Sequence, residues 1–85
     1  MKLQQMSPDQ PRPLHIIAMD IAMNWEKPHF AAVPYIRALH GLQDVDDYYG
    51  YDHASHIVRY FLANARTWRG EKAREIKTEL KAMLK

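Results

Sequence analysis

Apolar side chains recur at helical spacing through most of this chain, and this pattern restricts the fold more than any other feature. Residues three and four positions apart lie on one face of an α-helix, so each apolar stripe predicts an amphipathic helix. The last third of the chain, 52–85, contains two such stripes, with a hinge at 67–70. The first stripe comprises Ala54, Ile57, Val58, Phe61, Leu62 and Ala65. The second comprises Ala73, Ile76, Leu80, Met83 and Leu84.

The first half of the chain predicts two further helices. One is expected over 14–27, and Pro28 should end it because proline disfavours helical geometry at the residue before it. This helix is apolar around most of its circumference, so it either sits centrally among the other helices or presents part of its surface as an interface. A shorter helix is expected over 31–40, with Pro34 in its first turn and Gly41 as a left-handed stop.

The segment 41–52 is rich in aspartate, tyrosine and glycine, and it is predicted to be a loop. Asp52 is expected to cap the third helix, because its carboxylate can accept hydrogen bonds from the free backbone amides of the first turn. The fourth helix is expected over 70–84. Glutamates alternate with lysines and arginines on its outer side, which should therefore face solvent.

Together these patterns predict an all-α fold. A small four-helix domain over 14–85 should follow a disordered arm over 1–13 that is rich in proline and glutamine. Helix one is expected to pack against helices three and four. The predicted buried side chains are Leu14, Ile17, Ile21, Trp25, Ile36, Leu39, Ile57, Val58, Phe61, Leu62, Trp68, Ile76, Leu80 and Leu84.

Composition narrows the function classes. The chain contains no cysteine, which excludes a disulfide scaffold, a thiolate zinc site and a cysteine nucleophile. No apolar run approaches the roughly 20 residues of a membrane span, and the first residues lack the apolar region of a signal peptide. We therefore expect a cytoplasmic protein without a membrane partner.

Residues able to bind metal or perform catalysis occur without the partners that such sites need. His53 and His56 could share a metal ion, but a zinc site needs a third fixed ligand. A calcium loop beginning at Asp44 would need glycine and glutamate where Tyr49 and Ser55 stand. There is no glycine-rich phosphate loop and no nucleophile–base motif. The sequence therefore predicts no catalytic residue, no metal and no cofactor, as expected of a protein that is not an enzyme.

Positive charge is concentrated at the C-terminal end. Residues 1–58 carry four Lys or Arg against seven Asp or Glu, whereas 59–85 carry eight against three. This asymmetry can orient an acidic partner, or the two halves can simply attract one another. The loop tyrosines can anchor a partner or close over the edge of the core. The predicted partner-binding residues are Arg59, Arg66, Arg69, Arg74, Lys77, Tyr48, Tyr49 and Tyr51.

The pair of helices over 52–84 has an alternative interpretation as a small DNA-binding regulator. A short turn containing glycine between two helices, with several basic residues nearby, is typical of a helix-turn-helix. However, three glutamates lie on the exposed side of the fourth helix and would repel phosphates. That helix also has only Thr78 among the small polar side chains that usually read bases.

Several short motifs occur together in this chain. They are Ala32-Val33-Pro34-Tyr35, Tyr49-Gly50-Tyr51-Asp52, Tyr60-Phe61-Leu62-Ala63-Asn64-Ala65, Thr67-Trp68-Arg69-Gly70 and Ala73-Arg74-Glu75-Ile76-Lys77-Thr78-Glu79-Leu80. In these motifs, over about 17–84, the chain resembles small uncharacterised proteins encoded by actinobacterial phages and mobile elements. The resemblance carries no known activity. It implies an accessory protein that acts in a bacterial cytoplasm by binding a host factor.

The function that follows is a non-enzymatic protein-interaction module. Its expected partner is a host or phage protein, bound through the basic helical surface. Nucleic acid is the alternative partner. A second copy of the chain, in a homo-oligomer, is a further candidate partner because the first helix is apolar on several sides.

Overall fold

The computed structural model describes residues 12–84, and within them the chain is mostly helical with one small pair of strands. The two strands form an antiparallel sheet between the second and third helices. The elements are α1 (Leu14–Asn24), a 3₁₀ turn (Phe30–Ala32), α2 (Val33–His40), β1 (Tyr48–Tyr49), β2 (Asp52–His53), α3 (Ala54–Ala63) and α4 (Glu71–Ala82).

The arm predicted over 1–13 lies outside the described residues, apart from Arg12 and Pro13. The Arg12 guanidinium donates hydrogen bonds to both carboxylate oxygens of Glu79, at 2.8 and 2.7 Å, and to Asp20 at 3.1 Å. Lys72 lies 3.3 Å from the same Asp20 carboxylate. Hydrogen bonding to Glu79 raises the pKa of Arg12, against the opposing effect of partial burial. Arg12 thus links α1 to α4 at the point where the described chain begins.

Helix α1 ends at Asn24, three residues before the end predicted from Pro28. Trp25 leaves helical geometry, with φ of −117° and ψ of 89°, while its N–H still donates to the Ile21 carbonyl at 2.8 Å. Its ring is buried in the core, and this packing requires the chain to turn inward. The prediction was wrong because tertiary packing ends the helix before the proline does.

Helix α2 begins with the 3₁₀ turn, and Pro34 lies in its first turn, as predicted. The left-handed stop predicted at Gly41 is wrong, since Gly41 has a φ of −98°. The helix instead closes with 3₁₀ hydrogen bonds that any residue can form: Gly41 N–H donates to Ala38, and Leu42 N–H to Leu39. Leu42 is buried, so its side chain draws the chain back toward the core.

The segment 41–52 was predicted to be a loop in an all-α fold, but it contains β1 and the start of β2. Tyr48 pairs with His53 and Tyr49 with Asp52, and Gly50 makes the turn with a φ of 64°. Because Asp52 lies in a strand, it does not cap α3. His53 takes that role, and its Nδ1 accepts from the Ser55 backbone N–H at 3.2 Å.

The four helices pack in an order that the sequence did not predict. Helix α1 packs against α2 and α4, and α2 packs against α3. The expected contact of helix one with helix four is therefore present, whereas α2 rather than α1 is the main helical neighbour of α3. The end of α1 still reaches α3 through one aromatic contact, between Trp25 and Phe61.

Three aromatic side chains lie at the centre of the core. Trp25 and Trp68 stack with their ring centroids 5.3 Å apart, and Phe61 meets both edge-on at 6.3 and 6.5 Å. Of the residues predicted to be buried, all are buried except Leu62 and Leu84, which pack against the core at its edge. The pattern did not predict the burial of Leu42, Ala32 and Ala38.

The substitution Phe61→Ala should lower the free energy of unfolding by about 3–5 kcal/mol, because it removes a fully buried ring and leaves a cavity between the two tryptophans. Chemical denaturation would measure the change. Thr78→Ala, on the exposed side of α4, is the matched control and should stay within about 0.5 kcal/mol. An unchanged transition for Phe61→Ala would show that this core assignment is wrong.

Gly70→Ala should destabilise the fold by about 1–3 kcal/mol, since Gly70 has φ of 112° and ψ of 176°, a region that only glycine occupies readily. Gly41→Ala is the comparison, because a Cβ there meets only ordinary contacts, the nearest 3.4 Å away, in a conformation open to any residue. Equal losses of stability for the two variants, measured by thermal unfolding, would contradict this account.

Candidate functional site

A groove with a volume of about 300 Å³ lies where the connection 64–70 meets α4. We call it the cationic groove, and its lining residues are Trp68, Arg69, Gly70, Ala73, Arg74 and Lys77. Trp68 and Ala73 are buried and form its apolar floor, while Arg69 and Arg74 are exposed at its walls. All the charged residues that line this groove are cations.

The local sequence explains why these side chains converge. Gly70, Ala73, Arg74 and Lys77 are spaced at three and four residues, so they share one face over the first turns of α4. The positive φ of Gly70 turns the chain sharply between Trp68 and the helix. Arg69, which precedes the helix, is therefore placed beside the side chains of its first two turns.

Lys77 is the innermost cation of the groove. Its Nζ donates a hydrogen bond of 2.6 Å to the backbone carbonyl of Trp68, and the residue is only partly exposed. Burial lowers the pKa of Lys77, and the positive charges of Lys81 and Arg69 lower it further. An anion in the groove would offset this repulsion, so the lysine favours the binding of a negative group.

The positive character of the groove does not extend across α4. The neighbouring face of the helix presents Glu71 and Glu75 beside Arg74 and Thr78. Arg74 therefore lies on the border between a cationic groove and a mixed, mostly acidic surface. The geometry is that of a small local site for anionic groups rather than an extended basic track.

The structure separates the other predicted basic residues from the groove. Arg59 is exposed on α3. Arg66 lines a separate, smaller cavity of about 210 Å³, together with His29 and Asn64. Of the five predicted cations, the structure brings Arg69, Arg74 and Lys77 together at one groove.

The three predicted tyrosines also lie away from the groove. Tyr48, Tyr49 and Tyr51 belong to the hairpin that immediately precedes α3, whereas the groove begins after α3 has ended. The ten residues of α3 correspond to a length of about 15 Å. All three tyrosines are exposed, so they form a second candidate surface and not the rim of the first.

Sequence reasoning missed a continuous row of rings along the outside of α3. The centroid separations are 5.0 Å for Tyr48 and His53, 6.0 Å for His53 and His56, 6.5 Å for His56 and Tyr60, and 5.5 Å for Tyr60 and Tyr35. We call these five residues the aromatic row. The spacing of His53, His56 and Tyr60 indicates one helix face, but Tyr48 and Tyr35 reach it only through the hairpin and α2.

The two histidines of this row do not form part of a metal site in the described chain. His53 Nδ1 lies 2.7 Å from Ser55 Oγ and also accepts from the Ser55 N–H, so this nitrogen is occupied in capping α3. Among residues 12–84, no cluster of three or more His, Asp or Glu has the arrangement needed for a metal ion. Within the same residues, none of the helices combines the length and the apolar character of a membrane span.

The connection between α3 and α4 differs in length from the turn of a helix-turn-helix motif. Helix α3 ends at Ala63 and α4 begins at Glu71, so the connection 64–70 is longer than the three to four residues usual in that motif. The two helices also share little direct backbone packing, because α3 packs mainly on α2 and α4 packs on α1. The pair therefore differs from a compact helix-turn-helix in connection length and in packing.

The chain was compared with family models, curated proteins and solved structures, and none of the three comparisons gave a match.

The titration of Lys77 tests the electrostatics of the groove. We expect its pKa to lie below the ordinary lysine value of 10.5, and Arg69→Ala should raise it by removing a nearby positive charge. As pH rises through this pKa, the folded chain loses a proton that the unfolded chain keeps until higher pH. The free energy of unfolding should therefore rise with pH in that window.

The pKa can be measured from the side-chain NMR resonances of Lys77. Arg37→Ala, which removes an exposed charge on α2, is the control and should leave the titration unchanged. A Lys77 that titrates at 10.5 or above would show that its burial and its cationic neighbours do not act as described.

Proposed function

We propose that this protein is a non-enzymatic interaction module that binds an acidic segment of a partner protein in the cationic groove. The observation that carries the proposal is the convergence of Arg69, Arg74 and Lys77 on one groove with an apolar floor. Guanidinium groups bind carboxylates through paired hydrogen bonds, and the buried edge of Trp68 can pack against the aliphatic part of an acidic side chain.

The size and surroundings of the groove favour an acidic peptide over a nucleic acid. A volume of about 300 Å³ accommodates one or two side chains. A duplex would extend beyond the groove, onto the face that carries Glu71 and Glu75, where its phosphates would be repelled. The connection 64–70 also differs from a helix-turn-helix turn. DNA binding through the two helices over 52–84 is therefore the alternative function, and the experiment below is designed to detect it.

The remaining predicted residues would form secondary contacts around the groove and the hairpin. Arg59 and Arg66 are exposed on and after α3, where they can meet further acidic groups of a partner. Tyr48, Tyr49 and Tyr51 can supply rigid rings at the other end of that helix. A partner that spans α3 would contact both ends.

The biological setting in this proposal comes from the sequence resemblance alone. A phage or mobile-element accessory protein would act in the cytoplasm of a bacterial host, and its partner would be a host protein with an exposed acidic segment.

The proposal is tested by charge reversal at the groove. Titration with a synthetic peptide rich in glutamate should shift the NMR resonances of Arg69, Arg74 and Lys77 before any others. The double variant Arg69→Glu/Arg74→Glu should weaken this binding at least about tenfold, because two favourable charge interactions become repulsive. The control Lys27→Glu/Arg37→Glu changes the net charge equally at exposed positions outside the groove and should have a much smaller effect.

A parallel capture from bacterial lysate should use the same variants, with and without nuclease. A captured protein that is lost with Arg69→Glu/Arg74→Glu but kept by the control would supply the natural acidic segment for direct measurement. Equal weakening by both double variants would mean that only net charge matters and would contradict the groove. Capture that disappears with nuclease and with rising salt would instead support the DNA-binding alternative.

A further inference from the structure

The positive charges of the cationic groove are not neutralised within the described chain. Among residues 12–84, the ion pairs are formed by Arg12 and Lys72 with acidic residues of α1 and α4. Arg69, Arg74 and Lys77 take part in none of these pairs. The groove therefore presents three cations that a ligand can neutralise.

Lys77 brings its charge to the N-terminal end of α4. Its Nζ donates the 2.6 Å hydrogen bond to the carbonyl of Trp68, nine residues earlier, so the side chain reaches back along the helix. An ammonium group has three N–H donors, and this bond uses one of them. The other two are left for a ligand, in a groove that Arg69 and Arg74 also line.

The start of α4 adds backbone donors to the same groove, which Gly70 and Ala73 line. The Arg74 N–H donates to the Gly70 carbonyl at 3.0 Å, so the amides of 71–73 precede the first hydrogen bond of the helix. Gly70 lies at the N-cap position and has no side chain that could accept from them. A Cβ at Gly70 would meet no atom within 4 Å, so a ligand can approach the backbone closely. The dipole of α4 adds to the attraction for an anion here.

A phosphorylated side chain matches these donors better than a carboxylate does. A carboxylate carries one negative charge, which would leave two of the three cations without an opposite charge. A phosphomonoester carries about 1.5 to 2 negative charges at neutral pH and three strong acceptor oxygens. Because the groove has room for only one or two side chains, the ligand gains most when a single side chain brings this charge.

The surroundings of the groove favour a phosphorylated side chain over other phosphates. The phosphodiesters of a nucleic acid carry one charge each and continue along the strand, where Glu71 and Glu75 beside the groove would repel them. The buried residues Trp68 and Ala73 form an apolar floor. Such a floor favours a phosphate attached to a carbon chain over inorganic phosphate, because contact with it removes apolar surface from water.

We propose, on the basis of the acidic-peptide function given above, that the partner segment is phosphorylated and that its phosphorylated side chain occupies the cationic groove. Arg69 and Arg74 bind the phosphate oxygens through paired hydrogen bonds. Lys77 donates its two remaining N–H groups, and the amides at the start of α4 complete the site. The aliphatic part of the phosphorylated residue lies on Trp68 and Ala73. Phosphorylation of the partner therefore strengthens its binding to this protein.

The test uses the full-length chain and three glutamate-rich peptides that differ only at their central position, which carries phosphoserine, glutamate or serine. Calorimetry should show the phosphoserine peptide binding at least about tenfold more tightly than the other two, because it brings the additional charge. In NMR spectra, the phosphoserine peptide should shift the backbone amides of 71–73 more than the other peptides do.

Neutral variants of the groove test which cations recognise the phosphate. Arg74→Gln and Lys77→Gln should each reduce the preference for phosphoserine at least about threefold, because each removes a charged donor. Arg37→Gln, which neutralises an exposed cation on α2, is the matched control and should keep the preference. Backbone resonances of α1 and α2 report that each variant stays folded. Arg74 is exposed, so its variant keeps the test decisive if Lys77→Gln does not fold.

The outcomes separate this inference from the function on which it rests. Equal affinities for the three peptides would overturn the phosphorylated ligand and leave the acidic-peptide function standing, whereas binding of none of them would overturn both. Inorganic phosphate alone should bind more weakly than the phosphoserine peptide. Equal or tighter binding of inorganic phosphate, or tighter binding of an oligonucleotide without a terminal phosphate, would assign the groove to a different ligand and overturn the proposal.

Discussion

The stacking of Trp25 on Trp68, with Phe61 edge-on to both, is the contact on which the remaining architecture depends. It joins the end of α1 to the last turn of α3 and to the connection into α4, which follow more than 30 residues later in the sequence. Buried aromatic pairs combine a large apolar area with a preferred ring geometry. The cluster therefore fixes where α1 stops and where the last helix can begin.

The cationic groove is a consequence of the same contact. Because Trp68 is held in the core, its carbonyl is available to accept the hydrogen bond from Lys77, and Gly70 must turn the chain sharply into α4. Arg69 then lies beside the first turns of the helix. The like charges of the groove are held close together by the fold, and burial together with the positive charges of Lys81 and Arg69 lowers the pKa of Lys77.

The two ends of α3 present surfaces with different chemistry. At one end the groove offers positive charge over an apolar floor, and at the other the hairpin starts a row of exposed rings. The cationic groove and the row of rings are therefore two separate surfaces of the described chain. Away from both surfaces' residues, the ion pairs of Arg12 with Asp20 and Glu79 join α1 to α4.

Periodicity alone was sufficient to predict four helices and nearly all of the buried side chains, because apolar residues must share a face to leave water. The backbone chemistry of proline also located Pro34 in the first turn of α2, where the missing N–H costs nothing. Sequence reasoning failed at element ends: Trp25 leaves α1 early to reach its stacking partner, and Asp52 pairs with Tyr49 instead of capping α3. These outcomes depend on residues distant in the chain.

The candidate site was also predicted only in part from the sequence. The helical pattern and the tyrosine-rich loop were enough to nominate Arg69, Arg74, Lys77 and the tyrosines as partner-binding residues. Their grouping was not predictable, since the hairpin and the groove lie at different ends of α3 and Tyr35 meets Tyr60 only across α2 and α3. Local spacing determines which residues share a helix face, whereas the packing of the helices determines which faces become neighbours.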